Sequence, residues 1–92
     1  MRKRYHLFFS GTVQGVGFRY TARALAEKHS INGWVANLID GRVELEIEGE
    51  NSDINSFMND LREEFKSYLT TIEKEELAPL NEETGFHIKF LQ

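Results

Sequence analysis

The sequence predicts an α+β sandwich with two helices laid on one face of an antiparallel sheet, and three patterns carry that expectation. Apolar residues recur at helical spacing in two separate stretches, Phe18 to His29 and Ile54 to Phe65. Between them the period drops to two from Trp34 to Ile47, around an Asp40-Gly41 pair suited to a tight hairpin turn. Short aromatic or β-branched runs at either end complete the order β-α-β-β-α-β plus a short terminal strand, the split βαβ or ferredoxin-like arrangement. The 92 residues, 40% hydrophobic and without cysteine, suffice for one core and no more, so a single domain over 1–92 is expected.

Each element has its own justification. Tyr5 to Phe9 is aromatic and apolar and runs into Ser10-Gly11, as a buried first strand ending in a loop does. Phe18, Ala22, Leu25, Ala26 and His29 form one face of the first helix, and Asn32-Gly33 is expected to stop it. With an even-length loop around Asp40-Gly41, Trp34, Ala36 and Leu38 share a buried face with Val43, Leu45 and Ile47. Val35 and Asn37 then lie on the wet face with Arg42, Glu44, Glu46 and Glu48. Ile54, Phe57, Met58, Leu61 and Phe65 define the second helix, behind the cap candidates Asn51 and Ser52 and with Asp53 in its first turn. Thr70 to Leu77 carries Glu73, Lys74, Glu75 and Glu76, the mark of a charged edge strand. Phe86 to Phe90 alternates as a short last strand after an Asn81–Gly85 turn.

Composition narrows the function. Eleven Lys+Arg against 15 Asp+Glu leave a net charge of −4, which argues against nucleic acid as the main partner. Without cysteine there is no zinc ribbon, catalytic thiol or redox dithiol. The basic start, Met1 to Arg4, is followed only by Leu7-Phe-Phe9, whereas a secretory core needs roughly 7–15 apolar residues and a membrane helix about 20. A cytoplasmic protein with no membrane partner is expected, monomeric because nothing in the chain demands a second copy. His6, His29 and His87 lack zinc spacing and the acidic residues follow no calcium-loop pattern, so no metal is expected. His29 reads instead as a core-edge residue, and Ser10 has no His/Asp partners that can be placed beside it as a nucleophile would need.

The most informative segment is Gly11-Thr-Val-Gln-Gly15-Val-Gly17-Phe-Arg19, three glycines in seven residues at a strand-to-helix junction. Glycines there let successive amides converge, and the helix N-terminus adds about half a positive charge, which together suit an anion such as phosphate. A plain tight turn is the alternative. The spacing fits neither the nucleotide P-loop, which needs a Gly-Lys pair where Val16 stands, nor a dinucleotide fingerprint, which needs a small residue at Tyr20. Arg19 in the first turn opposes the helix dipole at a cost of roughly 0.3–1 kcal/mol, a sign that a bound anion reverses. Its planar fork holds two phosphoryl oxygens at once. It could equally lean into water or pair with a carboxylate such as the chain end at Gln92. The first two strands run parallel and end at one edge of the sheet, which brings Asn37 to the same place, about 10 Å away if one strand intervenes. Taken alone, Asn37 reads as a polar strand-end residue.

These residues resemble the acylphosphatases: Gly11-Thr-Val-Gln-Gly-Val-Gly-Phe-Arg19, Gly33-Trp-Val-Ala-Asn37, Asp40-Gly-Arg-Val-Glu44 and Gly49, with agreement in element order and at Gly85-Phe-His-Ile88 thereafter. The resemblance implies a ferredoxin-like α/β sandwich that hydrolyses acyl phosphates without metal or cofactor. It implies that Arg19 binds the phosphate, that the amides of Gln14, Gly15, Val16, Gly17 and Phe18 cradle it, and that Asn37 orients the attacking water. One departure is the connection after the second helix, Phe65-Lys-Ser-Tyr-Leu69, where the family often has Gly-Pro; it is expected to be remote from the chemistry.

Two other classes compete. Gln14 to Tyr20 echoes an RNA-recognition signature, but the cation and the stacking aromatic are missing and the segment falls in a loop. A non-catalytic module that binds acyl phosphates without hydrolysing them keeps the same residues. Domains of this kind also occur inside larger hydrogenase-maturation proteins, whose cysteine-rich segments are absent here, and a stand-alone enzyme is the expectation.

Overall fold

The computed structural model describes residues 1–90. The elements are β1 (Arg2–Gly11), α1 (Phe18–Lys28), β2 (Asn32–Asn37), β3 (Val43–Glu50), α2 (Asn51–Phe65), β4 (Leu69–Leu77) and β5 (Phe86–Lys89). They form one five-stranded sheet in the order β4-β1-β3-β2-β5. The expected α+β sandwich is present, but the sheet is mixed: β5 pairs parallel to β2, while the other neighbours are antiparallel. The fully antiparallel expectation fails at this edge because β5 returns across the sheet through residues 78–85 and enters alongside β2 in the same direction.

Both helices cover one sheet face. Leu7, Phe9, Val35, Val43, Leu45 and Ile47 point up from the strands into Phe18, Ala22 and Ala26 of α1 and the apolar face of α2. The predicted α2 face is buried as a block, Ile54, Phe57, Met58, Leu61 and Phe65. Neither Asn51 nor Ser52 caps it: the cap position is Glu50 without a side-chain bond, and the Asn51 amide donates to the Met1 carbonyl. The charged β4 forms the sheet edge beside β1, where its glutamates discourage pairing with another chain.

Two local expectations are corrected. Helix α1 is stopped by Ser30, at φ 59°, with the Ile31 amide donating to the Ala26 carbonyl across the turn. Asn32-Gly33 opens β2 instead. The hairpin is the second. Leu38 N–H donates to the Arg42 carbonyl, leaving the odd three-residue tip Ile39-Asp40-Gly41 with Gly41 at φ 95°. An odd loop inverts the facing that an even one imposes. Val35 opposes Leu45 and Asn37 opposes Val43 on the helix-covered face, whereas Trp34 and Ala36 lie with Glu46 and Glu44 on the open one.

The open face carries a ladder of pairs: Arg4–Glu46 at 3.1 Å, His6–Glu44 at 2.6 Å and Arg2–Glu48 at 2.6 Å. Burial alone would raise the Glu48 carboxyl. The bonds from Arg2 and from the Leu80 and Asn81 amides outweigh it and hold the group below the usual carboxylate range. With the Asn32 side chain accepting from the Gly85 amide, Glu48 straps residues 78–85 to the sheet and so directs β5 onto β2.

Candidate active site

The loop between β1 and α1 is pinned at Val13, Val16 and Phe18. Val13 and Phe18 are buried and Val16 packs against the core, while Gly15 and Gly17 between them are exposed at φ 79° and 82°. That arrangement turns the backbone outward, since apolar side chains hold it down and only glycine adopts these angles at no steric cost. Phe18 lies between Phe9 and Phe65, ring centroids 5.0 and 4.8 Å away. Gly17 caps α1 in a left-handed conformation, no side chain caps the first-turn amides, and no acidic residue stands in that turn. Among the described residues, the amides of Gln14 to Phe18 donate to no backbone or side-chain acceptor. Such a bare, positively polarised N-terminus favours an anion.

Arg19 follows in the first turn and is half-buried. Its guanidinium carbon lies 5.9 Å from the Tyr20 ring centroid and 6.0 Å from that of Phe90. No carboxylate of the described residues ion-pairs with it; the suggested partner at Gln92 lies outside those residues. By contrast Arg42, also near this end of the sheet, is committed to Asp40 at 2.8 Å and stacks over Phe8 at 4.5 Å.

Asn37 ends β2, separated from β1 by β3 as the expected spacing requires. Contrary to the sequence reading of a wet face, it projects to the helix side, opposite Val43. Its Oδ1 is buried and accepts no hydrogen bond, the one such side-chain atom among the described residues. Leaving a buried acceptor unpaired costs about 1–3 kcal/mol.

Sequence reasoning missed two structural parts of the site. The Gln14 side chain spans from the loop to the hairpin, donating from Nε2 to the carbonyls of Leu38 at 2.7 Å and Arg42 at 3.0 Å. No spacing rule could find those acceptors, because they are backbone atoms 24 and 28 residues away. The connection after α2 is likewise not remote. The Thr12 amide donates to the Tyr68 carbonyl at 2.9 Å, and a Cβ on Gly11 would overlap that carbonyl, so Phe65–Leu69 buttresses the start of the loop. The histidines stay separate: His6 bonds Glu44, His29 bonds Asp60 and His87 bonds the Thr84 carbonyl.

Fold and junction together define the class, a small α+β sandwich whose glycine-rich strand-to-helix loop opens onto a bare helix N-terminus. Residues 5–88 match the family model of acylphosphatase. The chain belongs to the acylphosphatase family of enzymes. It is 37% identical over 86 residues to an acylphosphatase of Bacillus pumilus, covering 92% of this chain and 96% of that one. Its fold superposes on the crystal structure of acylphosphatase from Bacillus subtilis with a TM-score of 0.84 at 34% identity, covering 97% and 99% of the two chains. The same fold also occurs within HypF from T. kodakarensis, where 95% of this chain matches 12% of that chain with a TM-score of 0.80 and 36% identity.

Proposed function

We propose that this chain hydrolyses the carboxyl–phosphate bond of acyl phosphates, releasing carboxylate and inorganic phosphate without a metal or cofactor. The observation that carries the reading is the outward-turned loop from Gln14 to Phe18, continuous with an uncapped helix N-terminus and followed by Arg19. In this reading the loop amides and the Arg19 fork bind the phosphoryl oxygens and take up charge that builds on them in the transition state. Asn37, whose side chain is half-exposed as a whole, orients the attacking water through its carboxamide and aims the water's oxygen at phosphorus. The new P–O bond forms as the bond to the acyl oxygen breaks, the carboxylate leaves, and a phosphoryl oxygen takes the water's proton. No strong protein base is needed, since carboxylate is a good leaving group and the reaction requires mainly positioning.

The substrate sits at an open surface site that reads chiefly the phosphoryl group. In this reading the protein acts as a cytoplasmic monomer on a small-molecule acyl phosphate, with no nucleic-acid or membrane partner. No helix among the described residues is long and apolar enough to cross a membrane. The test is hydrolysis of benzoyl phosphate with excess chelator by the wild type and by folded Arg19→Ala and Asn37→Ala variants. Loss of activity in both is expected. Full activity in Arg19→Ala removes the cradle assignment, and wild-type protein that binds phosphate without turnover is a non-catalytic anion-binding module.

A further inference from the structure

We infer that the Gln14 side chain is a positioning residue that fixes the phosphate loop in register with Asn37, an inference that rests on the function proposed above. The two halves of the site lie on separate elements, the loop and Arg19 at the head of α1 and Asn37 at the end of β2. Among the described residues, Gln14 makes the side-chain hydrogen bonds that join them. A primary amide has two N–H donors, and both are used here, one on Leu38, which directly follows Asn37, and one on Arg42. Those two residues are themselves closed by the Leu38 N–H bond to the Arg42 carbonyl at 2.8 Å, so the amide clasps the mouth of the hairpin and not its tip. Val13 beside it is buried, which leaves the Gln14 backbone little room to follow if the clasp is lost.

Gln14 is thus assigned no contact with the substrate through its side chain. It acts through Asn37 by holding the residue that orients the water at a fixed distance from the phosphoryl cradle. Misplacing a reacting group by about 1 Å costs on the order of 100-fold in rate. Phosphate affinity depends on the amides and Arg19, which the clasp leaves in place.

The test compares Gln14→Met, equal in length and without donors, and Gln14→Glu, in wild-type and Asn37→Ala backgrounds. In the wild-type background Gln14→Met is expected to lower kcat roughly 10- to 100-fold while inhibition by inorganic phosphate stays within about twofold. In the Asn37→Ala background the same substitution should cost no more than about twofold further. Gln14→Glu, whose carboxylate faces two carbonyls, should regain activity relative to wild type as falling pH protonates it and restores one donor. Should Gln14→Met fail to fold, Gln14→Glu at low and neutral pH carries the comparison. Additive losses in the double variant, or a fall in phosphate affinity as large as the fall in kcat, overturn the inference. Its fate is separable from that of the proposed activity by the NMR signals of the Asn37 side-chain amide under phosphate titration. Wild-type protein should shift those signals and Gln14→Met should not, although it still binds phosphate; an equal response in both overturns the positioning role even if the wild type is inactive on benzoyl phosphate.

Discussion

Replacing Asn37 by alanine separates the demands of the fold from those of the reaction. The Oδ1 of Asn37 is buried without a donor, a defect worth about 1–3 kcal/mol. The substitution removes only the carboxamide and no buried methylene, and the residue as a whole is half-exposed, so the offsetting loss of packing is small. Asn37→Ala is therefore expected to stabilise the protein by about 1 kcal/mol, which for a domain of this length raises Tm by roughly 4–8 °C. Activity should fall about 100- to 1,000-fold, the usual consequence of deleting one oriented polar group from a site. Urea denaturation followed by circular dichroism gives the first quantity, and initial rates of benzoyl phosphate hydrolysis give the second. A variant less stable than wild type by 1 kcal/mol or more, with its rate intact, would show that Asn37 is a structural strand-end residue and would refute the reasoning.

Three further outcomes follow from the same geometry. A Cβ at Gly17 meets no atom within 4 Å, so Gly17→Ala should cost only the left-handed penalty of about 1–2 kcal/mol and weaken phosphate binding, whereas Gly11→Ala, driven into the Tyr68 carbonyl, should fail to reach the native state; denaturation curves and phosphate titration check both. Ser30 closes α1 at φ 59° on the surface, and Ser30→Gly should raise stability by about 0.5–1 kcal/mol in the same urea assay without altering the rate. The Glu48 carboxyl is held below its ordinary range in the folded state, so its contribution is full above that range and is lost as pH falls through the lowered folded value. Stability measured from neutral pH into acid should decline less steeply for Glu48→Gln, which starts lower at neutral pH by roughly 2–4 kcal/mol; parallel curves would assign the acid sensitivity to other carboxylates.

Much of the molecule was legible because local signals and tertiary packing agree. The apolar face of α2 is set by a 3.6-residue period that no alternative partner could satisfy as well, and it is buried as read. The glycine loop and Arg19 were found because left-handed angles and a cation at a helix start are costly choices that stand out from their surroundings. The hairpin was less legible. Asp40-Gly41 announces a turn but not its length, and a loop of odd length reverses every side chain that follows. For that reason the sequence pattern gives the position of Asn37 along the sheet but not its face, and it points Trp34, a large aromatic, into the core that Val35 occupies.

The sequence by itself determined which segments become helices and strands, the α+β class, and the glycine-rich strand-to-helix junction that Arg19 follows. All of these follow from neighbours within a few residues, where periodicity and backbone preference act. Only the tertiary structure decided the parallel entry of β5, the facing of Asn37, the Tyr68 buttress under the loop and the Gln14 clasp across to the hairpin. Each of these depends on backbone carbonyls and amides that every residue possesses, so no side-chain pattern marks them; they are selected when the packed core brings distant segments within hydrogen-bonding reach.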